Sequence, residues 1–482
     1  MHTMAAATDV LRRHWGYRAF RGAQQDAVRA ALESRDALVL MPTGGGKSLC
    51  YQVPALLLDG LTLVISPLIS LMDDQVQALR RHGIAAAALH GGVARRDAAA
   101  ALAAAGEGSL RLLYVAPERF ASPRFREAFT AFRLALLVVD EAHCVSQWGN
   151  GFRPAYLGLG EVREALDCPA MALTATATPE VRADIVRLLR LRQPRILACG
   201  FDRPNLYWAV DPIARERDRE RRMLHELRRL ESGSAIVYAS TRRSVDWTTD
   251  ALNRLGMTAA AYHAGIDAPI RRELQDRFMS GRVRVIVATS AFGMGIDNAD
   301  VRLVLHAHMS GSIEAYYQEA GRGGRDGQPA RALLLSSPRD AAIQRFLIEQ
   351  AFPPISIVRD VHAVLRRASR ESSATAAPAA AGVRGAAQLE GALLALERAG
   401  ALRREHERPA DGRPVDRLRL TISDPRRIDW QAIDAGRQRE LRRLHAMVAY
   451  CAHERCRRAF LLRYFGERPP KSCNGCDRCA LR

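Results

Sequence analysis

Residues Ala37 to Ser48 have the sequence ALVLMPTGGGKS. Ala37–Leu40 is a short apolar run of the kind that forms a buried strand, and glycines follow it before Lys47 and Ser48. The backbone N–H groups of such a loop can turn inward around phosphate oxygens, and a helix that begins there adds its dipole. Lys47 would reach the β- and γ-phosphates of a nucleotide, and Ser48 would bind Mg²⁺. The stretch therefore predicts an α/β fold that holds ATP and Mg²⁺.

Apolar runs typical of strands recur along the chain, with helical patterns between them. The first series continues with Thr62–Ser66, Leu110–Ala116, Leu134–Val139 and Met171–Thr174. A second series comprises Ala235–Ala239, Ala259–Tyr262, Val283–Ala288, Val301–His306 and Arg331–Leu335. This alternation predicts parallel sheets covered on both faces by helices. Because only the first series has a phosphate loop, we expect ATP in the cleft between two α/β domains, residues 1–200 and 201–345.

A carboxylate pair, Asp140 and Glu141, follows the strand predicted for Leu134–Val139. The end of a central strand is where a Mg²⁺–ATP site needs such a pair. Asp140 can hold Mg²⁺ through water, and Glu141 can orient or deprotonate the attacking water. The pair therefore predicts nucleotide hydrolysis.

Aromatic and basic residues follow the carboxylates in the same loop. Trp148, Phe152, Arg153 and Tyr156 offer flat faces and a planar cation, which suit stacking on unpaired bases. The alternative is that the three aromatic residues are ordinary core residues. The loop thus predicts a sensor of single-stranded nucleic acid next to the hydrolysis site.

The composition favours a polyanionic partner. The 482 residues carry a formal net charge of +19, with a pI near 10.2. The same excess could instead be a solubilising surface. Only Lys47 and Lys471 among the 71 basic residues are lysines, which makes a lysine in the phosphate loop informative. No signal pattern or apolar run long enough to span a membrane is visible, so we expect a cytoplasmic protein with no membrane partner.

The α/β pattern stops near residue 346. Two amphipathic helices are predicted, Ile355–Ala368 and Ala387–Ala399, followed by a hairpin of Leu402–Arg408 and Val415–Ile422. This order predicts a winged-helix-like, DNA-binding domain over residues 346–430. Its wing would contact phosphates through Arg403, Arg417 and Arg419. The alternative is a structural helical domain with a solvated basic face.

Four cysteines form a candidate metal site in a helical module at residues 431–482. Cys473, Cys476 and Cys479 are each separated by two residues, and Cys456 is predicted to lie on a long helix, Arg439–Phe465. Four thiolates form a closed tetrahedral Zn²⁺ site with no open position, so the metal would be structural. The alternative is a set of reduced or paired cysteines.

These motifs together resemble one family. DEAH followed by SQWG and FRPAY is similar to the RecQ group of superfamily-two DNA helicases. TGGGKS at 43–48, QEAGRGGRD at 318–326 and the zinc cluster with its preceding CRRAFLLRYFGE resemble motifs of the same group. The family usually has His-Asp between SQWG and FRP, where this chain has Asn150 and Gly151. The resemblance implies two RecA-like domains.

The resemblance also implies roles for individual residues. Those implied to bind ATP are Tyr17, Arg21, Gln24, Thr43, Gly44, Gly45, Gly46, Lys47, Ser48, Asp140 and Gln318. Those implied in catalysis are Lys47, Asp140, Glu141 and His143, with Arg322 and Arg325 entering from the second domain to stabilise charge on the γ-phosphate. Those implied to bind DNA are Ser66, Pro67, Trp148, Phe152, Arg153, Ser240, Arg242 and Thr289. Tyr17 would stack on adenine, and the Gln24 amide would recognise its N6 and N7 edge.

By resemblance, the protein is expected to be an ATP-dependent DNA helicase that moves 3′ to 5′ and serves recombination and repair. Its expected partners are single-stranded and partly duplex DNA and a single-strand-binding protein, and it would act as a monomer at the bacterial nucleoid. Two rivals stay open. One is an RNA helicase of the same superfamily, and the other is a strand-annealing protein whose ATPase is weakly coupled to DNA because of Asn150 and Gly151.

Overall fold

The structure is a computed structural model that describes residues 3–42, 44–146, 154–156, 158–292, 298–370, 382–407 and 415–480. The chain forms two compact units. The first comprises residues 1–308, 314–335 and 453–482, and the second comprises residues 309–313 and 336–452. None of the helices within the described ranges is both long and apolar enough to cross a membrane.

A seven-stranded sheet organises the first α/β domain. Its strands are β1 (Ala37–Leu40), β2 (Leu61–Ile65), β3 (Ala86–Leu89), β4 (Leu112–Val115), β5 (Leu134–Val139), β6 (Ala170–Thr174) and β7 (Arg195–Ala198). They lie in the order β3-β4-β2-β5-β6-β1-β7, and every neighbouring pair is parallel. The helices are α1 (Met4–Trp15), α2 (Gln24–Leu32), α3 (Leu49–Ala55), α4 (Ile69–Arg81), α5 (Arg95–Gly106), α6 (Pro123–Phe129), α7 (Leu159–Glu164) and α8 (Pro179–Leu188).

Both faces of this sheet are buried, which explains its continuous apolar strands. In β1, Leu38 and Leu40 join one hydrophobic cluster, whereas Ala37 and Val39 join another. Successive side chains of a strand point to opposite faces, so the two clusters lie on the two sides of the sheet. A parallel sheet covered by helices on both sides favours unbroken runs of Leu, Val and Ala over alternation with polar residues.

The strand order places the phosphate loop near the carboxylate pair. Strand β6 lies between β1 and β5 and pairs with both of them in parallel. Because parallel strands share one carboxyl edge, the loop after β1 and the residues after β5 and β6 meet at that edge. Ligands of open α/β sheets bind at such an edge.

A six-stranded sheet organises the second α/β domain. Its strands are β8 (Leu206–Pro212), β9 (Ser234–Tyr238), β10 (Ala259–Tyr262), β11 (Val285–Ala288), β12 (Val301–His306) and β13 (Ala330–Ser336). They lie in the order β10-β11-β9-β12-β13-β8, and the pairs from β10 to β13 are parallel. The helices are α9 (Glu216–Arg228), α10 (Arg242–Arg254), α11 (Ala268–Met279) and α12 (Ile313–Ala320). The predicted pair of parallel-sheet domains is thus confirmed.

Sequence reasoning missed three strands, β3, β7 and β8, and all three lie at the edges of their sheets. β3 is mostly alanine, which has a low preference for strands. In β7 the more exposed and the less exposed residues alternate, so no apolar run marks it. Edge strands are covered less completely than central ones, and their sequences are correspondingly less distinctive.

The second unit consists of helices and a hairpin. Its elements are α13 (Pro338–Ala351), α14 (Ile355–Arg370), α15 (Ala386–Arg398), β14 (Leu402–Glu407), β15 (Val415–Leu420) and α16 (Trp430–Ala452). The antiparallel hairpin of β14 and β15 shares a hydrophobic cluster with α14 and α15. The unit extends beyond the segment 346–430 at both ends, because α13 and α16 pack against each other and α15.

The C-terminal cysteines follow a break in the helix. The predicted helix Arg439–Phe465 is wrong, because α16 ends at Ala452 and α17 (Arg457–Tyr464) begins after a turn. Cys456 is the N-cap residue of α17, and its Sγ accepts a hydrogen bond from the Ala459 N–H at 3.4 Å. The turn moves Cys456 off the helix, where its thiol meets those of the other three cysteines. A last short helix, α18 (Asp477–Ala480), contains Cys479.

A buried ion pair should stabilise the first domain. The side chains of Asp36 and Arg163 are 3% and 2% exposed, and Asp36 accepts hydrogen bonds from Arg163 Nη2 and the Ala170 N–H at 2.8 Å. Asp36→Ala would leave the Arg163 charge buried and unpaired, so we expect the free energy of unfolding to fall by about 3–5 kcal/mol in urea denaturation. Breaking the exposed Asp59–Arg133 pair with Asp59→Ala should change it little. An equal loss of unfolding free energy in Asp36→Ala and Asp59→Ala would contradict a special contribution from the buried pair.

Candidate functional site

A cleft of about 440 Å³ in the first unit is lined by loops from both α/β domains. The first domain contributes the phosphate loop and the carboxylate pair, and the second contributes Gln318 on α12 and two arginines in the loop that follows this helix. The lining includes Tyr17, Arg21, Gln24, Gly44, Gly45, Gly46, Lys47, Ser48, Asp140, Glu141, Gln318, Arg322 and Arg325. All the residues predicted to bind ATP therefore line one cavity, except Thr43, which lies outside the described residues.

The phosphate loop depends on its glycines. Gly44 and Gly46 have φ angles of 81° and 72°, in the left-handed region that favours glycine. A Cβ atom on Gly46 would lie 2.4 Å from Gln24 Nε2, so a side chain there would also clash. The Lys47 ammonium donates to the Met41 carbonyl at 3.3 Å. The Lys47 side chain therefore folds back onto the start of the loop while lining the cleft.

Gln24 connects the phosphate loop to the predicted adenine-binding residues. Its Nε2 donates to the Gly45 carbonyl at 3.0 Å, and its Oε1 accepts from the Arg21 N–H at 2.8 Å. Tyr17 is 48% exposed, and the Arg21 guanidinium lies 5.9 Å from the centre of its ring. Sequence reasoning had assigned the Gln24 amide to adenine alone and missed this contact with the loop.

The carboxylate pair is held in an unusual backbone conformation. Glu141 has a φ of 47°, which is rare for a residue with a side chain, and its N–H donates to Asp140 Oδ1 at 2.9 Å. Burial and the charge of Glu141 raise the pKa of Asp140 to about 7, and Lys47 partly opposes that rise. A cation in the cleft would relieve this repulsion, because both carboxylates are buried side by side.

His143 links the carboxylates to the end of β6. Its Nδ1 lies 2.8 Å from Thr174 Oγ1 and 3.3 Å from Glu141 Oε2. Thr174 Oγ1 also accepts a hydrogen bond from the Thr176 N–H at 3.3 Å. The buried His143 therefore joins Glu141 to the loop after β6, a contact that the sequence alone did not predict.

Two arginines of the second domain line the cleft. Arg322 is 3% exposed, and its Nε and Nη1 have no hydrogen-bond partner among the described residues. A Cβ atom on Gly44 would lie 2.9 Å from Cγ and Cδ of Arg325, so that side chain packs directly over the loop. The buried Arg322 guanidinium, with nitrogens that lack acceptors in the described part of the chain, is suited to bind an anion.

Cys199 is a residue of the cleft that sequence reasoning missed. It follows β7, lines the cleft and accepts a hydrogen bond from the Ala23 N–H at 3.1 Å through its Sγ. Its place results from the pairing of β7 with β1, for which the sequence carries no motif.

The residues predicted to stack on bases are only partly described. Trp148, Phe152 and Arg153 lie outside the described residues. Tyr156 is fully buried, and its hydroxyl donates to the Asp140 carbonyl at 3.1 Å. The interpretation of Tyr156 as a stacking residue is therefore wrong, because the ring belongs to the core and its hydroxyl fixes the carboxylate pair.

The other predicted DNA contacts lie where strands end. Ser66 and Pro67 follow β2 and are buried. Ser240 lies just before α10, and Arg242 is the exposed first residue of that helix. Thr289 follows β11 directly. These positions lie at the carboxyl edges of the two sheets, and their role in DNA binding stays a prediction.

On the hairpin of the second unit, Arg403 and Arg419 are directly opposite each other and exposed. Arg417 is paired in register with Glu405, two positions along the same strands. Arg404 has a different role, because it forms ion pairs with Glu397 at 2.8 Å and Glu390 at 2.6 Å. Arg404 thus anchors the hairpin to α15.

The four cysteines form one cluster, in which the Sγ atoms of Cys456, Cys473, Cys476 and Cys479 all lie within 4.8 Å of one another. Zn–S bonds of about 2.3 Å in a tetrahedron place sulfur atoms about 3.8 Å apart, so the cluster fits a zinc ion. The cluster is attached to β8, where the Trp208 N–H donates to the Gly475 carbonyl at 2.9 Å.

Comparisons with known proteins agree with this geometry. Three family models match: DEAD/DEAH box helicase over residues 21–185, helicase conserved C-terminal domain over 218–327 and RecQ zinc-binding over 415–480. The ATP-dependent DNA helicase RecQ of Synechocystis sp. is 35% identical over 495 residues, which cover 98% of each chain. The chain belongs to the RecQ family of ATP-dependent DNA helicases. The resemblance deduced from the motifs is confirmed.

RecQ relatives differ in how much of their length the chain covers. The ATP-dependent DNA helicase RecQ of Bacillus subtilis is 36% identical over 476 residues, which cover 98% of this chain but 66% of that protein. Among solved structures, Saccharomyces cerevisiae Dbp5 bound to RNA and ADP BeF3 has a TM-score of 0.58 and 16% identity, covering 72% of this chain and 91% of that chain. This last likeness shows a shared fold.

The RecQ zinc-binding module should depend on its metal. Cys476→Ser removes one of four ligands, and structural zinc contributes folding free energy, so we expect loss of bound zinc and a lower thermal unfolding midpoint. Atomic absorption and calorimetry would measure both. Cys451→Ser is the matched control, because Cys451 lies on α16 outside the cluster and should leave zinc bound. Full zinc retention in Cys476→Ser would contradict the assignment.

Proposed function

We propose that the protein is an ATP-dependent DNA helicase that moves 3′ to 5′ on single-stranded DNA and separates duplexes during recombination and repair. One observation carries the proposal. A single cleft brings Lys47 and the Asp140–Glu141 pair of one domain together with Arg322 and Arg325 of the other. Hydrolysis can then depend on how the two domains meet.

The residues present fit Mg²⁺–ATP. The Ser48 hydroxyl and the Asp140 carboxylate are oxygen donors of the kind that Mg²⁺ prefers, with Asp140 acting through water. Mg²⁺ would supply positive charge to the phosphate oxygens when bound. The buried Arg322 nitrogens offer donors to a phosphate group, and the glycine loop offers backbone N–H groups.

Each side chain then has a defined part in hydrolysis. Lys47 neutralises the β- and γ-phosphates, and Glu141 orients the attacking water or accepts its proton. His143 holds Glu141 and connects it to the loop after β6. Arg325 and Arg322 stabilise charge that develops on the γ-phosphate, which requires the two domains to be closed.

Closing and opening of the cleft would move the strand. Single-stranded DNA would lie along the carboxyl edges of the two sheets, in contact with Ser66, Ser240, Arg242 and Thr289. Trp148, Phe152 and Arg153 would stack on or pair with it, and Arg403, Arg417 and Arg419 would contact duplex phosphates. We propose that the protein acts as a monomer, with a single-strand-binding protein as a further partner.

Strand separation on tailed duplexes tests the proposal. We expect ATP-dependent unwinding of a duplex with a 3′ single-stranded tail and little unwinding of one with a 5′ tail. Hydrolysis should be stimulated more by single-stranded DNA than by RNA of the same sequence. Preferential stimulation by RNA would favour an RNA helicase. Annealing without ATP-dependent unwinding would overturn the proposal in favour of a strand-annealing protein.

A further inference from the structure

The segment between the two α/β domains contacts the loop that carries both arginines. We define the connector as residues 199–205, between β7 and β8, and the arginine loop as residues 321–325, after α12. Arg203 Nη1 donates to the Gly321 carbonyl at 3.0 Å, and its Nη2 donates to the Gly323 and Gly324 carbonyls at 2.8 and 3.2 Å. One guanidinium thus holds three of the five residues of the arginine loop.

Asn205 completes this attachment. Its Nδ2 donates to the carbonyls of Gly324 at 2.7 Å and Gln328 at 2.9 Å. Gly324 has a φ of 57°, and a Cβ atom there would lie 2.4 Å from Asn205 Nδ2. The close approach requires glycine. The connector and the arginine loop are therefore packed without space for a side chain between them.

The zinc-binding module holds the other end of the connector. The Glu467 carboxylate accepts a hydrogen bond from the Phe201 N–H through both oxygens, at 2.9 and 2.8 Å. The ring of Phe465 stacks on that of Phe201 with a centroid distance of 4.5 Å and an interplanar angle of 12°. Arg458 forms an ion pair with Asp202. Three successive contacts therefore attach the module to the connector before it reaches Arg203.

We propose that Arg203 is a positioning residue for Arg322 and Arg325, and that Glu467 extends this control to the zinc-binding module. The proposal rests on the proposed function of the two arginines in ATP hydrolysis. The zinc-binding module would then influence ATP hydrolysis through the connector and the arginine loop, as well as folding around its own metal. Neither Arg203 nor Glu467 lines the cleft, so both would act only through the loop.

The expected effect follows from geometry. A misplacement of about 1 Å in a catalytic group can lower a rate about 100-fold. We therefore expect Arg203→Ala to lower kcat for DNA-stimulated ATP hydrolysis by about 10- to 100-fold, with the KM for ATP changed by less than about threefold. Arg203→Lys keeps one donor nitrogen and the charge, and should lie between wild type and Arg203→Ala. It also keeps the test usable if Arg203→Ala does not fold.

A double-mutant cycle separates positioning from general support. The second background is Arg322→Ala/Arg325→Ala, measured by single-turnover hydrolysis of radiolabelled ATP. If Arg203 acts through these arginines, adding Arg203→Ala to that background should lower the rate by less than about threefold. An undiminished further loss would overturn the proposal. Wild-type kcat in the Arg322→Ala/Arg325→Ala variant itself would instead refute the proposed function of the two arginines.

Glu467 provides the test for the module. Glu467→Ala removes the acceptor of the Phe201 N–H, and we expect a fall in kcat of about 10-fold that is absent in the Arg322→Ala/Arg325→Ala background. Glu467→Gln keeps one acceptor oxygen and should recover most of the rate while zinc stays bound. Arg284→Ala is the matched control, because Arg284 also donates to two carbonyls of the second domain, Gly233 and Leu230, away from the cleft. Wild-type kcat in Glu467→Ala would overturn the extension to the module.

Discussion

Replacing Arg325 with alanine should lower kcat for ATP hydrolysis by about 10³-fold or more, with ATP affinity nearly unchanged. The side chain of Arg325 packs over Gly44 of the phosphate loop although it belongs to the second domain. An arginine that enters from the opposite domain stabilises charge formed during phosphoryl transfer, and contributes little to binding of the ground state. Stopped-flow phosphate release and nucleotide titration would measure the two quantities separately.

The matched control for Arg325 is another arginine of the second domain. Arg331 lies on β13, where it pairs with Glu226 and lies 5.8 Å from the Tyr207 ring, and it does not line the cleft. Arg331→Ala should therefore leave kcat close to that of wild type. A kcat for Arg325→Ala within about threefold of wild type would contradict the assignment, because an arginine that enters from the opposite domain is expected to stabilise the transition state by several kcal/mol.

Lys47→Ala should lower kcat/KM for ATP by about 10²–10³-fold and remove measurable unwinding, while affinity for single-stranded DNA is retained. The Lys47 ammonium lies in the phosphate loop, 3.3 Å from the Met41 carbonyl, and is the lysine that lines the cleft. Its loss removes positive charge at the β- and γ-phosphates without changing the sheet edges. Fluorescence anisotropy with a labelled strand would report DNA affinity alongside a strand-separation assay.

The chain supplies its own control for Lys47. Its other lysine, Lys471, lies exposed before the cysteines of the zinc-binding module. Lys471→Ala removes the same chemical group and should keep both hydrolysis and unwinding. Unwinding by Lys47→Ala at the wild-type rate would mean that strand separation does not need this nucleotide site.

The central strands could be predicted from sequence because their burial on both faces leaves unbroken apolar runs. The central strands β1, β5 and β12 have the predicted bounds. The edge strands β3 and β7 could not, since alanine and alternating burial give no such run. The break before Cys456 was missed for a related reason. Helical periodicity continues across it, and the need to bring four thiols together is a tertiary constraint.

The chemical groups of the cleft were predictable because glycine loops and paired carboxylates have local spacing. The contacts that hold these groups in place could not be predicted. The contacts of Gln24 with Gly45, of His143 with Thr174 and of Arg203 with the arginine loop join residues far apart in sequence. Tyr156 is a further example. Its aromatic ring suggested stacking on a base, whereas the structure buries the ring and its hydroxyl donates to the Asp140 carbonyl.

The most direct test of a DNA-driven ATPase is the turnover of saturating ATP by the wild-type protein with and without single-stranded DNA. The two-domain cleft predicts slow turnover alone and strong stimulation by the strand, since DNA at the carboxyl edges would favour the closed arrangement of Lys47, Glu141 and Arg325. Equal turnover with and without DNA would contradict the coupling on which the proposed helicase activity depends.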